Sequence, residues 1–431
     1  MPIFARTIPL ADRWLKFDVG QTLTRDGWLL FATRAVRMFA YGLLSVVLVL
    51  YLSEVGLTGW QIGWLLSMTL IGDIALSLWI TTSADAIGRR RMLLVSALLM
   101  AVSGVIFACS GNFWVLLVAA TIGIISPSDK EVGPFLSLEQ SSLSQLVPAQ
   151  RRTELFAWYH LVGSFAAAAG SWCGGQLVQS GQRVEAAGPA AYQPVILVYV
   201  AAGVLLMLGF AGLTSAIEPE PRAAAESSRP AGRFQLGLHQ SRSVVLLLAG
   251  LFSLDAFAGG FILQSLMAYW FHLRFGADAA TLGRIFLVAN LLAGFSGLVA
   301  GRLAAKIGLV RTMVVTHLPS NILLLLVPLM PDVNWAVGLF LFRFSISQMD
   351  VPTRQALTMS VVAPDERSAA AGVTAVARSL GAAISPLLAA LMLSIPALAS
   401  LPLLLAGSIK IVYDLLLYRA MARQEPWDGS A

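Results

Sequence analysis

Apolar runs of roughly 20 residues recur along the whole chain, each long enough to cross the hydrocarbon core of a bilayer. Twelve such runs are present, with cores beginning at Trp28, Ile62, Met92, Phe113, Thr153 and Val195, then at Ser243, Leu282, Thr312, Trp335, Ala369 and Leu401. Between Thr214 and Ser241 the pattern stops for a stretch rich in Glu, Pro, Arg, Ala and Ser, opening Ile217-Glu218-Pro219-Glu220-Pro221-Arg222. The pattern predicts an all-α polytopic membrane protein of 12 transmembrane helices in two pseudo-symmetric six-helix bundles. Its expected divisions are a cytoplasmic N-terminal segment 1–26, a first bundle 27–214, a cytoplasmic linker 215–242, a second bundle 243–418 and a cytoplasmic tail 419–431.

Composition agrees with this reading. Of the 431 residues, 57% are apolar and only 12% charged, about half the charged share of a typical soluble protein. The net charge of +6 is explained by where the bases stand. With both termini in the cytoplasm, nineteen of them fall on the inner side, from Arg6, Arg89, Arg90, Arg91, Arg151 and Arg152 through to Arg367, Arg419 and Arg423, and only Arg183 and Arg274 lie outside. That asymmetry is the positive-inside rule at work, and it removes any need for a nucleic-acid partner. The run from Trp28 to Tyr51 is too long for a signal-peptide core and has no small-residue cleavage site after it, so it is read as a retained span. Cys109 and Cys173 fall inside spans without ligand-like spacing, which implies neither a disulfide framework nor a metal site.

The halves repeat. At an offset of about 220 residues Gly63 meets Gly283, Ala84 meets Ala304, Ile87 meets Ile307, Gly88 meets Gly308 and Arg91 meets Arg311, the signature of an internal duplication. The loop Thr81-Thr82-Ser83-Ala84-Asp85-Ala86-Ile87-Gly88-Arg89-Arg90-Arg91, with its copy Gly301-Arg302-Leu303-Ala304-Ala305-Lys306-Ile307-Gly308, resembles the loop signature of the major facilitator superfamily. Thr81 and Ala86 depart from it in the first copy and Ala305 in the second. The resemblance implies two bundles that alternate access to a midplane site. It also implies a gating set of Asp73, Asp85, Gly88, Arg89, Arg91, Gly301, Lys306, Gly308 and Arg311. The competing reading makes Asp85 and the arginines topology determinants alone.

Ionisable residues at membrane depth are costly and point to a transport path. Arg34 and Arg37 share one face of the first span. The fourth span carries Asp129, Lys130, Glu131, Glu139 and Gln140, and its middle, Ser126-Pro127-Ser128-Asp129-Lys130-Glu131-Val132-Gly133-Pro134, reads either as a broken helix facing a cavity or as an outward loop. Asp255 stands in the seventh span, Arg343, Asp350, Arg354 and Gln355 in the tenth, and Arg378 in the eleventh. Arg343, Asp350 and Arg354 form one helical stripe, and Asp350 precedes Arg354 by four, the favourable order for an ion pair. Aligning the halves here at an offset of 215 sets Glu139-Gln140 opposite Arg354-Gln355 and Arg152 opposite Arg367. Glu139, Arg354, Asp350 and the Arg34/Arg37 face are expected to surround a central polar cavity, with a structural ion-pair network as the alternative.

In the fifth span, Gly163 and the run Gly170-Ser171-Trp172-Cys173-Gly174-Gly175 resemble the antiporter motif of drug-exporting members of that superfamily, although Ser171 replaces its proline and the exporters' fourth-span arginine is missing. No phosphate-binding loop is present, so protons are the expected coupling ion, with Glu139, Asp255, Asp129 and Glu131 as carriers and His160 behind them. The expected function is proton-coupled efflux of a small toxic or waste solute. The alternative is uptake of a small anionic metabolite through Arg34, Arg37, Arg354 and Arg378. No cofactor or enzyme activity is expected. The protein is expected to work as a monomer in a bacterial cytoplasmic membrane, with the lipid bilayer, protons and its solute as partners.

Overall fold

The computed structural model describes residues 23–128, 134–148, 151–183, 188–218, 238–363 and 366–421, apart from the side chains of Asp85, Thr153, Glu154 and Ser368. Asp129, Lys130 and Glu131, the Asp85 side chain, most of the N-terminal segment and the linker, and the tail beyond Met421 therefore lie outside the described residues.

The first half holds α1 (Arg25–Glu54), α2 (Gly59–Ile87), α3 (Arg89–Cys109), α4 (Phe113–Ile122), α5 (Phe135–Leu146), α6 (Arg152–Arg183) and α7 (Gln193–Ala211). The second holds α8 (Arg242–Gly260), α9 (Gln264–Phe275), α10 (Ala279–Ile307), α11 (Leu309–Leu326), α12 (Val333–Ser347), α13 (Asp350–Ser360), α14 (Arg367–Leu393) and α15 (Leu401–Met421). Among the described residues, nine helical stretches are long and apolar enough to cross a membrane. The remaining three spans are α4 with α5, α6, and α12 with α13. The fourth and tenth are interrupted and carry Glu139, Arg343, Asp350 and Arg354, and α6 is rich in small and polar residues, so length and hydropathy alone do not single them out.

The duplication is visible in the turns. Gly56 and Gly276 take positive φ of 91° and 66°, and Gly88 and Gly308 take 110° and 88°, each pair 220 residues apart. An L-residue is strained there, so glycine lets α2 run into α3, and α10 into α11, across a single residue. Entry to α2 is fixed by a capping box in which the Gln61 amide N–H donates to Thr58 Oγ1 and the Thr58 N–H to Gln61 Oε1 at 2.9 Å. Its counterpart α10 is capped by Asp278, which accepts from the Thr281 N–H at 2.8 Å. Asp278 lies in the turn before α10, and those Thr281 bonds hold its carboxyl below the usual carboxylate range.

Within each half, glycines bring helices together: a Cβ on Gly42 would fall 2.1 Å from the Ala167 carbonyl oxygen, and one on Gly260 2.5 Å from that of Ala382. The same device joins the halves. A Cβ on Gly175 would meet Ala279 O at 2.2 Å, and one on Gly63 would meet Leu387 Cα at 2.8 Å. Close approach of this kind is the usual basis of helix packing in lipid. Hydrogen bonds reinforce the seam, from Gln264 Nε2 to Ser45 Oγ at 2.8 Å and from the Leu387 N–H to Ser67 Oγ at 3.2 Å. These contacts all lie between mid-span and the face bearing Gly56 and Gly276. Toward the opposite face, a Cβ on Gly297, Gly301 or Gly372 would meet nothing within 4 Å. The described contacts between the halves are gathered toward the first face, and with Gly301, Arg302, Ala305, Lys306 and Arg311 exposed the halves part toward the second.

Candidate functional site

The interrupted spans meet at the seam. In the fourth, helix stops at Ile122, and the following Gly123 to Ser128 stretch is buried rather than looped outward. Its carbonyls are answered from within the protein: Gly123 O by Ser103 Oγ at 2.8 Å, Ile124 O by the Tyr199 hydroxyl at 3.0 Å, and Pro127 O by the Ser265 N–H at 3.3 Å. Buried Ile124 holds a positive φ of 53°, a conformation that a β-branched residue adopts only under constraint. The described part is thus a broken helix whose freed backbone faces protein, as bilayers require. The tenth span breaks at Gln348 and Met349, because Pro352 has no N–H to give the Gln348 carbonyl.

Charge gathers in two separate clusters. In the first half, Arg37 grips Glu139 through two parallel bonds, Nη1 to Oε1 and Nη2 to Oε2, each 2.7 Å. Thr33 Oγ1 donates to Oε1 at 3.2 Å and the Tyr159 hydroxyl to Oε2. Both members of the ion pair are fully buried. Arg34 lies over the Tyr159 ring with its guanidinium carbon 4.0 Å from the centroid, in space that a Cβ on Gly163 would occupy.

In the second half, Asp255 is the hub. Lys410 Nζ donates to Asp255 Oδ1 at 2.5 Å and Arg354 Nη1 to Oδ2 at 3.1 Å, and Arg378 Nη1 stands 4.0 Å from Oδ2. Arg354 also bonds Asp350 at 3.0 Å. His317 Nδ1 lies 2.8 Å from Asp414 Oδ1, while its Nε2 lies 3.9 Å from Asp255 Oδ1. Arg343 is buried, makes no ion pair among the described residues, and its Nε has no hydrogen-bond partner.

This second cluster lines a cavity of about 290 Å³ at mid-depth. Its charged wall is Asp255, Asp350, Arg343, Arg354, Arg378 and Lys410, joined by His317. The first half adds Asp73, whose Oδ1 is buried without a partner, together with Leu70 and Ser128. Met267, Phe286, Phe340 and Phe344 supply an apolar side. The N-terminus of α9, at Leu263 and Gln264, opens on the same space.

Two bundles, broken helices at their seam and a polar midplane cavity are the layout of an alternating-access carrier, and the sequence profile of the Major Facilitator Superfamily matches residues 30–386. The chain belongs to that superfamily. It is 30% identical over 419 residues to the uncharacterized membrane protein YJR124C of Saccharomyces cerevisiae, covering 91% of this chain and 93% of the relative. A bacterial homolog of the human lysosomal transporter Spinster, crystallised inward-facing and occupied, superposes with a TM-score of 0.72 at 13% identity, over 94% of this chain and 98% of that one. The crystal structure of the nucleoside transporter NupG gives 0.69 at 12% identity, over 93% of this chain and all of that one. Both structural likenesses concern the fold. As a Major Facilitator member the chain is an integral membrane transporter of small molecules.

In this transporter the residues singled out from sequence divide. Asp255, Asp350, Arg354, Arg378 and Asp73 meet at the cavity. Glu139, Arg37 and Arg34 do not line it, which corrects the expected single ring around Glu139 and Arg354. The pairing of those two positions rested on symmetry between the halves, whereas Glu139 is satisfied by Arg37 of its own half. Gln140 is half-buried beside Glu139, and Gln355 is exposed on α13, turned away from the cavity by its neighbour's position on the stripe. Of the gating set, Arg89 bonds the Gln145 side chain at 2.9 Å and its backbone N–H bonds Glu218 Oε2 at 2.6 Å. Arg91, Gly301, Lys306, Gly308 and Arg311 are exposed on the parted face. His317, Lys410, Asp414 and Asn321 were not among the expected site residues. Their signal was available as two i,i+4 polar pairs, His317 with Asn321 and Lys410 with Asp414, inside otherwise apolar spans.

Proposed function

We propose that this transporter carries a small organic anion together with a proton, into the cytoplasm. The observation that carries the reading is the charge of the cavity wall: four bases, Arg343, Arg354, Arg378 and Lys410, against three acids, Asp73, Asp255 and Asp350. Asp255 and Asp350 are occupied by their ion pairs, which leaves Arg343 unmatched and Arg378 with an Nη1 that lacks an acceptor. A buried cation without a counter-ion is unfavourable, and a carboxylate or similar group entering the cavity relieves it. The α9 N-terminus adds positive potential from its helix dipole, with the Ser265 N–H already taken by Pro127 O. The aromatic side favours an anion with an apolar body over an inorganic oxyanion.

Charge also argues for co-transport. A proton bound to the wall makes the cavity more positive and so raises its affinity for an anion, and by linkage the anion raises proton affinity equally. Exchange of solute for proton needs the two to compete, as a cation and a proton do for one carboxylate. The unpartnered Asp73 supplies counter-charge from the other half when the site is empty, so the carrier can close either loaded or vacant. The glycine run Gly170 to Gly175, which suggested export, is used for packing: a Cβ on Gly170 would lie 2.0 Å from Phe39 O and one on Gly174 2.4 Å from Leu43 O. With both termini and the Gly88 and Gly308 loops in the cytoplasm, as the arginine asymmetry supports, the parted face looks inward. A bacterial cytoplasmic membrane and a monomer acting alone complete the reading.

Thermal stabilisation of the purified transporter by a panel of organic anions, cations and neutral sugars tests the proposal. Aliphatic or aromatic monocarboxylates should stabilise the wild type and not Arg343→Gln. Stabilisation by organic cations alone would overturn it.

A further inference from the structure

Behind the cavity wall lies a polar network that co-transport of an anion does not by itself require. It is built on spans nine and twelve. His317 and Asn321 come from α11, Lys410 and Asp414 from α15, and Asp255 reaches in from α8. All five are buried, with Asp414 and Asn321 at 0% exposure.

The hydrogen bonds fix the tautomer. Asp414 Oδ1 lies 2.8 Å from His317 Nδ1, and Asp414 Oδ2 accepts from Asn321 Nδ2 at 2.9 Å. Asn321 Nδ2 also stands 3.2 Å from His317 Nδ1, but the shorter contact is to the carboxylate, which only accepts, and the Asn321 amide is already engaged by Asp414 Oδ2, so the proton on His317 Nδ1 is assigned toward Asp414. In the neutral ring Nε2 is then a lone pair, and it faces Asp255 Oδ1 at 3.9 Å. Lone pair against carboxylate is repulsive, and 3.9 Å is beyond hydrogen-bond reach. The imidazole is thus tied on one side and open on the other, between two carboxylates, one proton short of bridging them. His317 and Asp255 both line the cavity, which gives that proton a route.

We propose that His317 is the proton-loading site of this transporter and that its charging hands Asp255 over from Lys410. This rests on the anion reading above and deepens it. A proton from the cavity binds Nε2; no other bond forms or breaks. The imidazolium, held at Nδ1 by Asp414, donates from Nε2 to Asp255 Oδ1, the oxygen that Lys410 Nζ now occupies at 2.5 Å. Lys410 is freed toward the cavity, and the wall gains one positive charge for the incoming anion. Arg354 keeps its hold on Oδ2 and on Asp350 throughout.

The groups around His317 set its balance. On α15 these are Lys410, Asp414 and Tyr413, whose ring meets the imidazole edge-on at 5.9 Å. From α8 comes Asp255, from α12 Arg343, from α13 Asp350 and Arg354, and from α14 Arg378. The two carboxylates nearest the ring favour its charged form, and the surrounding bases oppose it.

The test follows the ring nitrogens directly. His160, His239 and His272 are exposed, so replacing them with Gln leaves His317 as the single histidine in the full chain. The 15N resonances of that protein in nanodiscs, from pH 5 to 9, should show Nδ1 protonated throughout and Nε2 gaining its proton within the range. Asp414→Asn removes the stabilising carboxylate and should move the midpoint at least one unit toward acid, a tenfold loss of proton affinity. Lys410→Met removes the competitor for Asp255 and should move it toward base. An Nε2 that never protonates, or a midpoint indifferent to both variants, overturns the proposal. No solute is added, so this result is separate from the fate of the anion reading: a titrating His317 with no anion binding would sink the latter alone.

Discussion

Replacing Glu139 by Gln separates a holding role from a transporting one. Glu139 accepts four hydrogen bonds, two of them from Arg37 at 2.7 Å, with both residues at 0% exposure. The amide keeps the volume, and its one oxygen can still accept from Thr33 while its NH2 donates to the Tyr159 oxygen, but it leaves the Arg37 guanidinium buried without a counter-charge. Removing one member of a buried ion pair costs about 3–5 kcal/mol, a large part of the roughly 5–15 kcal/mol that holds a typical protein folded. Glu139→Gln should therefore lower the folded yield and the detergent-solubilised melting temperature. Arg37→Met placed on top of it removes the stranded charge, so the double variant should be more stable than the Glu139→Gln single by at least about 1 kcal/mol, the non-additivity expected of contacting residues. Melting curves of wild type, both singles and the double close the cycle. An unaltered melting temperature in Glu139→Gln with transport gone would refute the reasoning and return Glu139 to the proton path.

Three further outcomes follow from the geometry. Arg343→Gln removes a charged donor to the bound anion, worth about 1.5–3 kcal/mol, so monocarboxylate affinity should fall about 10- to 100-fold by isothermal calorimetry while melting is little changed or improved. At the parted face Glu366 is buried, which pushes its carboxyl up, but the backbone N–H groups of His239, Gln240 and Ser241 outweigh this and hold it down to about 2 against an ordinary 4.5. A lowered folded value means the stabilisation is full above pH 4.5 and lost as pH falls toward 2, so the melting gap between wild type and Glu366→Gln should be constant near neutrality and shrink below about pH 4.5. Gly175→Leu drives a side chain into Ala279 O, where even a Cβ would lie at 2.2 Å. Spin labels on the Gly56 and Gly276 turns should then report a longer distance than in the wild type, and an unaltered distance would mean that this seam does not close the outer face.

Much of the fold was legible because a bilayer leaves few choices: apolar runs long enough to span it must be helices, and the matching Gly88 and Gly308 mark where the chain reverses. Part of the cavity was legible for a similar reason. The stripe Arg343, Asp350 and Arg354 follows from helical spacing, and the i,i+4 bond between Asp350 and Arg354 is present at 3.0 Å. Contacts between distant spans were not legible. Glu139 finds Arg37 102 residues away, and symmetry between halves pointed to Arg354 instead, because an internal repeat predicts equivalent positions and not touching ones. His317 and Lys410 went unrecognised because an i,i+4 polar pair does not say which distant span it faces, and only the packing of α11 against α15 shows that they converge on Asp255.

The most direct measurement of the central claim is proton movement during solute entry. Proteoliposomes holding the wild-type transporter and a pH-sensitive dye inside would receive benzoate, lactate or tetraethylammonium outside, with Arg343→Gln liposomes and protein-free liposomes as controls for passive acid leak. Anion–proton co-transport predicts saturable internal acidification with a monocarboxylate, above that leak, lost in Arg343→Gln, and none with the cation. Internal alkalinisation on addition of the cation, with no transporter-dependent response to either anion, would contradict it.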